Sequence, residues 1–108
     1  MNLTDLDATF RRILDERTDQ EGVPFAEAQG IRFLCPKCFE ANGHKPEGVH
    51  SVLCWFADKD VPDGKSPGPA RWQATGTSVE DLTLTPSVLL TSGCRWHGFV
   101  TAGLVTSC

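Results

Sequence analysis

The 108-residue sequence has no tyrosine, one methionine and no apolar run long enough to cross a bilayer. Its first residues, Met1 to Asp5, lack the basic start and apolar stretch of a secretory signal. It also lacks a basic cluster, because the one close pair of cations, Arg11–Arg12, is flanked by acidic residues. These absences predict a cytoplasmic protein with no membrane partner, for which nucleic acid is an unfavoured partner.

Composition places the chain among ordinary globular proteins. Fourteen acidic residues against ten Lys and Arg give a net charge of −4, and 40% of the residues are hydrophobic. The length predicts a single domain over residues 1–108. Because a chain of this size has a modest core, a metal crosslink would contribute substantially to its stability.

The spacing of apolar residues changes near residue 30. Before it, an apolar stripe predicts an N-terminal helix within residues 1–22, from about Asp5 to Arg17. After it, alternating patterns predict short strands at 31–34, 50–57 and 82–85, and a terminal hairpin at 99–106. Turn-forming residues predict loops at 39–48 and 58–70. We therefore predict an α+β fold, with the helix packed on a small, mostly antiparallel sheet formed by residues 30–108.

Two pairs of metal-binding residue types share a two-residue gap: Cys35 with Cys38, and Cys94 with His97. In each pair a tight turn, or knuckle, would aim both side chains at one point, and four such donors complete a tetrahedral shell around zinc. The pattern predicts one structural Zn²⁺ bound as in a zinc ribbon. Four protein ligands leave no open position for catalysis by the metal, so the pattern favours a protein that is not an enzyme.

Other uses of these residues stay open at this point. His44 and His50 are alternative fourth ligands. Cys54 lies within a predicted strand, where a core role is simplest, and Cys108 is assigned no role. Nucleophilic catalysis by Cys94 and His97 has no evident third residue to orient it.

The segment Cys94–Phe99 resembles the second cluster-binding box of Rieske iron–sulfur proteins, Cys-x-x-His-Gly followed by an aromatic residue. The first box of that family, Cys-x-His, has no counterpart in this sequence. An iron–sulfur redox protein, or another metal-dependent enzyme, is therefore an alternative to the structural-zinc prediction. A nucleic-acid-binding zinc ribbon is a second alternative.

From about residue 30 to 105 the chain resembles a small family of uncharacterised phage and prophage proteins. The resemblance implies a zinc-ribbon-like domain in a bacterial host cell. Related domains are found near bacterial ubiquitin-like conjugation genes, which implies a protein partner. The predicted function is thus a structural-zinc module that binds another protein through the two turn-rich loops. The segments that carry the resemblance are Phe33–Phe39, Ser51–Phe56, Pro67–Pro69 with Arg71–Trp72, Leu82–Ser87 and Cys94–Phe99.

Overall fold

In a computed structural model, which describes residues 1–108, the chain forms two four-stranded antiparallel sheets. The first sheet has the strand order β2-β1-β3-β4, and the second has the order β5-β6-β7-β8. The strands are β1 (Thr9–Ile13), β2 (Asp19–Glu21), β3 (Gly30–Leu34), β4 (Ser51–Trp55), β5 (Gln73–Thr75), β6 (Thr83–Leu89), β7 (His97–Thr101) and β8 (Leu104–Ser107). The chain therefore completes one sheet before it begins the other.

Helical structure is confined to short segments. The one α-helix, α1, spans Pro36–Ala41, and 3₁₀ turns occur at Leu3–Leu6, Phe25–Glu27 and Val79–Asp81. None of these has the length and apolar character needed to cross a membrane.

The predicted N-terminal helix is wrong, and so is the α+β class that depends on it. A single 3₁₀ turn buries Leu3 and Leu6 and ends at Asp7, whose φ of 51° is left-handed. β1 then begins, directs Phe10 into the core and leaves Leu14 61% exposed. A short turn followed by a strand thus reproduced the apolar spacing of a helix. Pairing of β1 with both β2 and β3 supplies the backbone hydrogen bonds that a helix would otherwise have made.

Several strand predictions are confirmed. β3 and β4 occupy the segments predicted at 31–34 and 50–57, and β7 and β8 form the terminal hairpin. The loop predicted at 39–48 is partly wrong, because α1 continues to Ala41. β6 also continues beyond its predicted end at Pro86, where its register with β7 shifts between Leu84 and Val88 and accommodates the proline.

The buried faces of both sheets share one hydrophobic core. Phe33 from β3 meets the ring of Trp96, just before β7, edge to face at 6.2 Å between centroids. Trp96 is 2% exposed and its indole Nε1 donates to Ser107 Oγ at 3.0 Å. Strongly buried members of this core include Leu3, Leu6, Ile31, Phe33, Cys54, Phe56, Leu82, Leu84, Val88 and Val100.

Candidate functional site

Three cysteines and one histidine converge at one end of the core. The ligand atoms of Cys35, Cys38, His50 and Cys94 all lie within 4.8 Å of one another. Cys35 Sγ is 3.5 Å from Cys94 Sγ, and His50 Nε2 is 3.3 Å from the same sulfur. The four residues range from buried, at Cys35, to exposed, at His50.

Local structure explains how each side chain reaches this point. Cys35 is the N-cap of α1, where Pro36 suits the first helical position, and Cys38 follows one turn later. The backbone N–H of Cys35 donates to the carbonyl of His50 at 2.9 Å, which extends the β3–β4 pairing and brings His50 beside the helix start. Cys94 lies in the turn between β6 and β7.

The cluster has the size that a tetrahedral zinc ion requires. With Zn–S bonds of about 2.3 Å and Zn–N bonds of about 2.0 Å, tetrahedral geometry separates two sulfurs by about 3.8 Å, and a sulfur from a nitrogen by about 3.5 Å. The separations of 3.5 Å and 3.3 Å within the cluster are close to these values. Three thiols and an imidazole are also a donor set that zinc prefers. The residues therefore fit one metal ion.

The protonation of the three thiols differs. Burial raises the pKa of Cys35 to about 12, and it also raises the pKa of Cys38. Burial opposes ionisation of Cys94 too, but hydrogen bonds from the backbone N–H of Trp96, from His50 and from the neighbouring thiols lower its pKa to about 7. Cys94 is thus the first of the three to become a thiolate, and a bound cation would favour ionisation of the other two.

The fourth predicted ligand, His97, lies elsewhere. Of the predicted set, the structure brings together Cys35, Cys38 and Cys94, and His50 completes the group in place of His97. His97 opens β7, opposite Leu89 of β6, and its ring Nε2 lies 2.9 Å from Ser87 Oγ. The strand geometry directs this imidazole to the outer face of the second sheet, although its spacing from Cys94 suits a knuckle.

The contact between Ser87 and His97 is a second chemical feature of the chain. The other two histidines have different surroundings: His44 packs on the ring of Phe39 at 5.3 Å between centroids, and His50 belongs to the cysteine cluster. Ser87 and His97 are both half-buried. When Nε2 is unprotonated, the Ser87 hydroxyl donates to it, which is the arrangement of a nucleophile and its base. Sequence reasoning missed Ser87, because only the β6–β7 pairing brings these two residues together.

Comparison with known proteins gives one match. No curated protein and no solved structure matches the chain. A sequence model of a family described as the bacterial ubiquitination-like system serine protease, BubE, matches residues 11–108. This range contains the second sheet, all of the first sheet except Thr9 and Phe10, the cysteine cluster and the Ser87–His97 pair. The phage and prophage resemblance stays a prediction. Because the match covers nearly the whole chain, the chain belongs to the BubE family.

Proposed function

We propose that the chain is a serine peptidase in which Ser87 is the nucleophile and His97 the general base. The observation that carries the proposal is the 2.9 Å distance between Ser87 Oγ and His97 Nε2. The description of the BubE family as a serine protease supports it. Among the three histidines, His97 is the one whose ring nitrogen is paired with a hydroxyl, which makes it the candidate base.

The proposed chemistry is acyl transfer through a serine–histidine pair. Ser87 Oγ attacks the carbonyl carbon of a peptide bond while His97 Nε2 takes the hydroxyl proton. The imidazolium then gives this proton to the leaving amine as the C–N bond breaks, and an ester of Ser87 remains. Water attacks the ester with His97 again as base, which releases the acid and restores the Ser87 hydroxyl.

The second sheet holds the pair in place on both sides. Leu89 of β6 lies opposite His97 of β7, while Ser87 lies in the stretch between Leu84 and Val88 where the register of the two strands shifts. The indole Nε1 of Trp72 donates to the carbonyl oxygen of Ser87 at 3.2 Å. These contacts restrict the strand that carries the nucleophile, and such preorganisation lowers the entropy that the reaction must lose.

We further propose that the cysteine cluster holds one structural zinc ion. Cys35, Cys38, His50 and Cys94 would occupy all four positions of its shell, which suits a structural role. Cys94 lies three residues before His97, and its carbonyl oxygen accepts a hydrogen bond from Lys37 Nζ at 2.9 Å. The metal would therefore fix the turn that leads into β7 and its histidine, and so act on the pair through the backbone.

A fluorophosphonate probe, which phosphonylates activated serines, tests the peptidase proposal. We expect the folded chain to be labelled at Ser87, as located by mass spectrometry. Labelling should be lost in Ser87→Ala and reduced at least about 100-fold in His97→Ala, because general-base catalysis contributes about 10²–10⁴-fold. Ser92→Ala, at an exposed serine in the β6–β7 turn, is the matched control and should label normally.

Two outcomes would contradict the assignment of Ser87. One is labelling that persists in Ser87→Ala, and the other is a folded, metal-loaded chain that takes no label. The second outcome would favour the alternative proposal from the sequence, an accessory module that binds another protein.

A further inference from the structure

A groove lies between the edges of the two sheets, and its lining includes Val88, the residue after Ser87, but neither Ser87 nor His97. It has a volume of about 630 Å³, which is within the usual range for binding sites. Leu53 and Trp55 of β4 border one side, and Leu89 and Leu90 border the other. Trp72 connects the two sides, because its backbone N–H donates to the Trp55 carbonyl and its indole to the Ser87 carbonyl.

One end of this groove is formed by Cys38, His50 and Cys94 of the cysteine cluster, and no Asp, Glu, Lys or Arg side chain lines it. This is unexpected in a chain of which 22% is charged. Beyond Asp81, Arg95 is the only charged residue of the sequence, so the β6 side of the groove has few charges near it. Away from the cluster, the apolar residues of β4 and β6 would leave a charged ligand group desolvated and unpaired, and this part of the groove therefore favours an uncharged ligand.

Of the two strands that border the groove, β6 has an open edge beyond Thr85, whereas the end of β4 is bridged to Trp72. β4 is the last strand of its sheet, and β5 pairs with β6 only over Thr83–Thr85. The N–H of Leu90 donates to the Trp96 carbonyl on β7's side, so the alternation of an antiparallel ladder turns the N–H and C=O of Leu89 the other way, toward the groove. An unpaired strand edge of this kind is a template for one further strand.

We propose that this groove binds an extended, uncharged peptide segment that adds as a strand to the edge of β6 at Leu89. The groove and its open edge would then hold the substrate backbone while Ser87, two residues along the same strand, reaches one of its peptide bonds. Trp72 covers the Ser87 carbonyl and so ends the pairing there. The substrate role rests on the proposed peptidase function, but peptide binding by the groove does not.

Calorimetric titration of the Ser87→Ala chain, which binds without turnover, tests the groove directly. The probe is an uncharged hexapeptide of alanine, leucine, valine and serine with acetylated and amidated ends. We expect binding to weaken at least tenfold when two central residues are replaced by Glu and Lys. N-methylation of alternate backbone nitrogens should weaken it to a similar degree, because the added strand then lacks its donors.

Two surface leucines provide a matched pair of variants in the same Ser87→Ala background. Leu89 is 54% exposed beside the groove and Leu14 is 61% exposed far from it, so both tolerate lysine without loss of folding. Leu89→Lys should weaken binding of the uncharged peptide at least tenfold, and Leu14→Lys should leave it unchanged. Three results would overturn the proposal. They are equal effects of Leu89→Lys and Leu14→Lys, no binding of the uncharged peptide, and binding of the charged or N-methylated peptide as tight as that of the uncharged, unmethylated one.

The two proposals fail separately. Labelling of Ser87 without peptide binding would support the peptidase proposal and refute the groove proposal. Peptide binding with the expected dependence on Leu89, but without labelling of Ser87, would support the groove as a peptide site. It would refute the role of that peptide as a substrate.

Discussion

Removal of the metal from the Cys35, Cys38, His50 and Cys94 cluster should lower the thermal stability of the chain by a large amount. The cluster joins α1 and the start of β4 to the turn before β7, so a bound ion crosslinks the two sheets. A crosslink stabilises a folded chain mainly because it removes conformational freedom from the unfolded chain.

The spacing of the ligands gives the size of this effect. Cys35 and Cys94 are 59 residues apart in sequence. A crosslink that closes a loop of that length contributes about 4 kcal/mol in the chain-entropy model. Small domains unfold with a free energy of about 5–15 kcal/mol, so the loss is a large fraction of the whole. At about 4–8 °C per kcal/mol for a domain of this size, the expected fall in Tm is about 15–30 °C.

Calorimetric melting of the purified chain, with its metal content measured, gives the assay. The melting temperature should fall on addition of a strong chelator and recover when zinc is restored. Cys94→Ser should melt like the chelated chain and show little further response to chelator. Cys108→Ser, at an exposed thiol outside the cluster, is the control and should behave like the unaltered chain.

The two histidine variants make the assay specific for this ligand set. His50→Ala should lose metal and melt early, whereas His97→Ala should keep both its metal and most of its stability. The reasoning is refuted if His97→Ala loses the metal while His50→Ala keeps it. It is also refuted if complete removal of the metal shifts Tm by less than about 5 °C, since the crosslink would then contribute under about 1 kcal/mol.

Three further variants test the fold. Gly98→Ala should lower the free energy of unfolding in urea by about 1–3 kcal/mol, because the added Cβ would collide with the indole of Trp96 and with a β8 carbonyl. Leu84→Ala, at a side chain 2% exposed in the shared core, should cost about 2–5 kcal/mol in the same assay. Hydrogen bonds from Thr77 and from the backbone N–H of Ser78 lower the pKa of Asp81 below its usual 3.8. The ionised carboxylate therefore stabilises the folded chain above that pH. The stability difference between the unaltered chain and Asp81→Asn should therefore be constant near neutral pH and shrink as the pH falls below 3.8.

Strand positions could be predicted from the sequence where one face is buried and turns bound the segment. Alternating burial in β3 and β4 follows the alternation of their residues, and Gly103, with a φ of 79°, marks the turn of the terminal hairpin. The N-terminal segment could not be assigned in this way. Its apolar residues are spaced as in a helix, and only the pairing partners of β1, distant in sequence, show that it is a strand.

The cysteines of the site could be predicted because their signal is local. Cys35 and Cys38 flank a proline that starts a helix, and Cys94 lies before a strand, so each position has a short-range cause. His50 could not be selected over its rivals, because its place depends on the register of β3 with β4. Ser87 carried no local signal, since a serine in a strand is chemically ordinary until strand pairing brings a histidine within hydrogen-bonding distance of it.

The chain crosses from the first sheet to the second only once, so a single cut in the backbone can separate the two sheets. A cut anywhere in residues 58–70 would leave two fragments, each with the strands of one complete sheet. The first would hold two thiols and an imidazole, and the second would contribute one thiol. Cobalt, whose visible spectrum reports the number of bound thiolates, would then gain its third thiolate, and change its spectrum, when the halves reassemble.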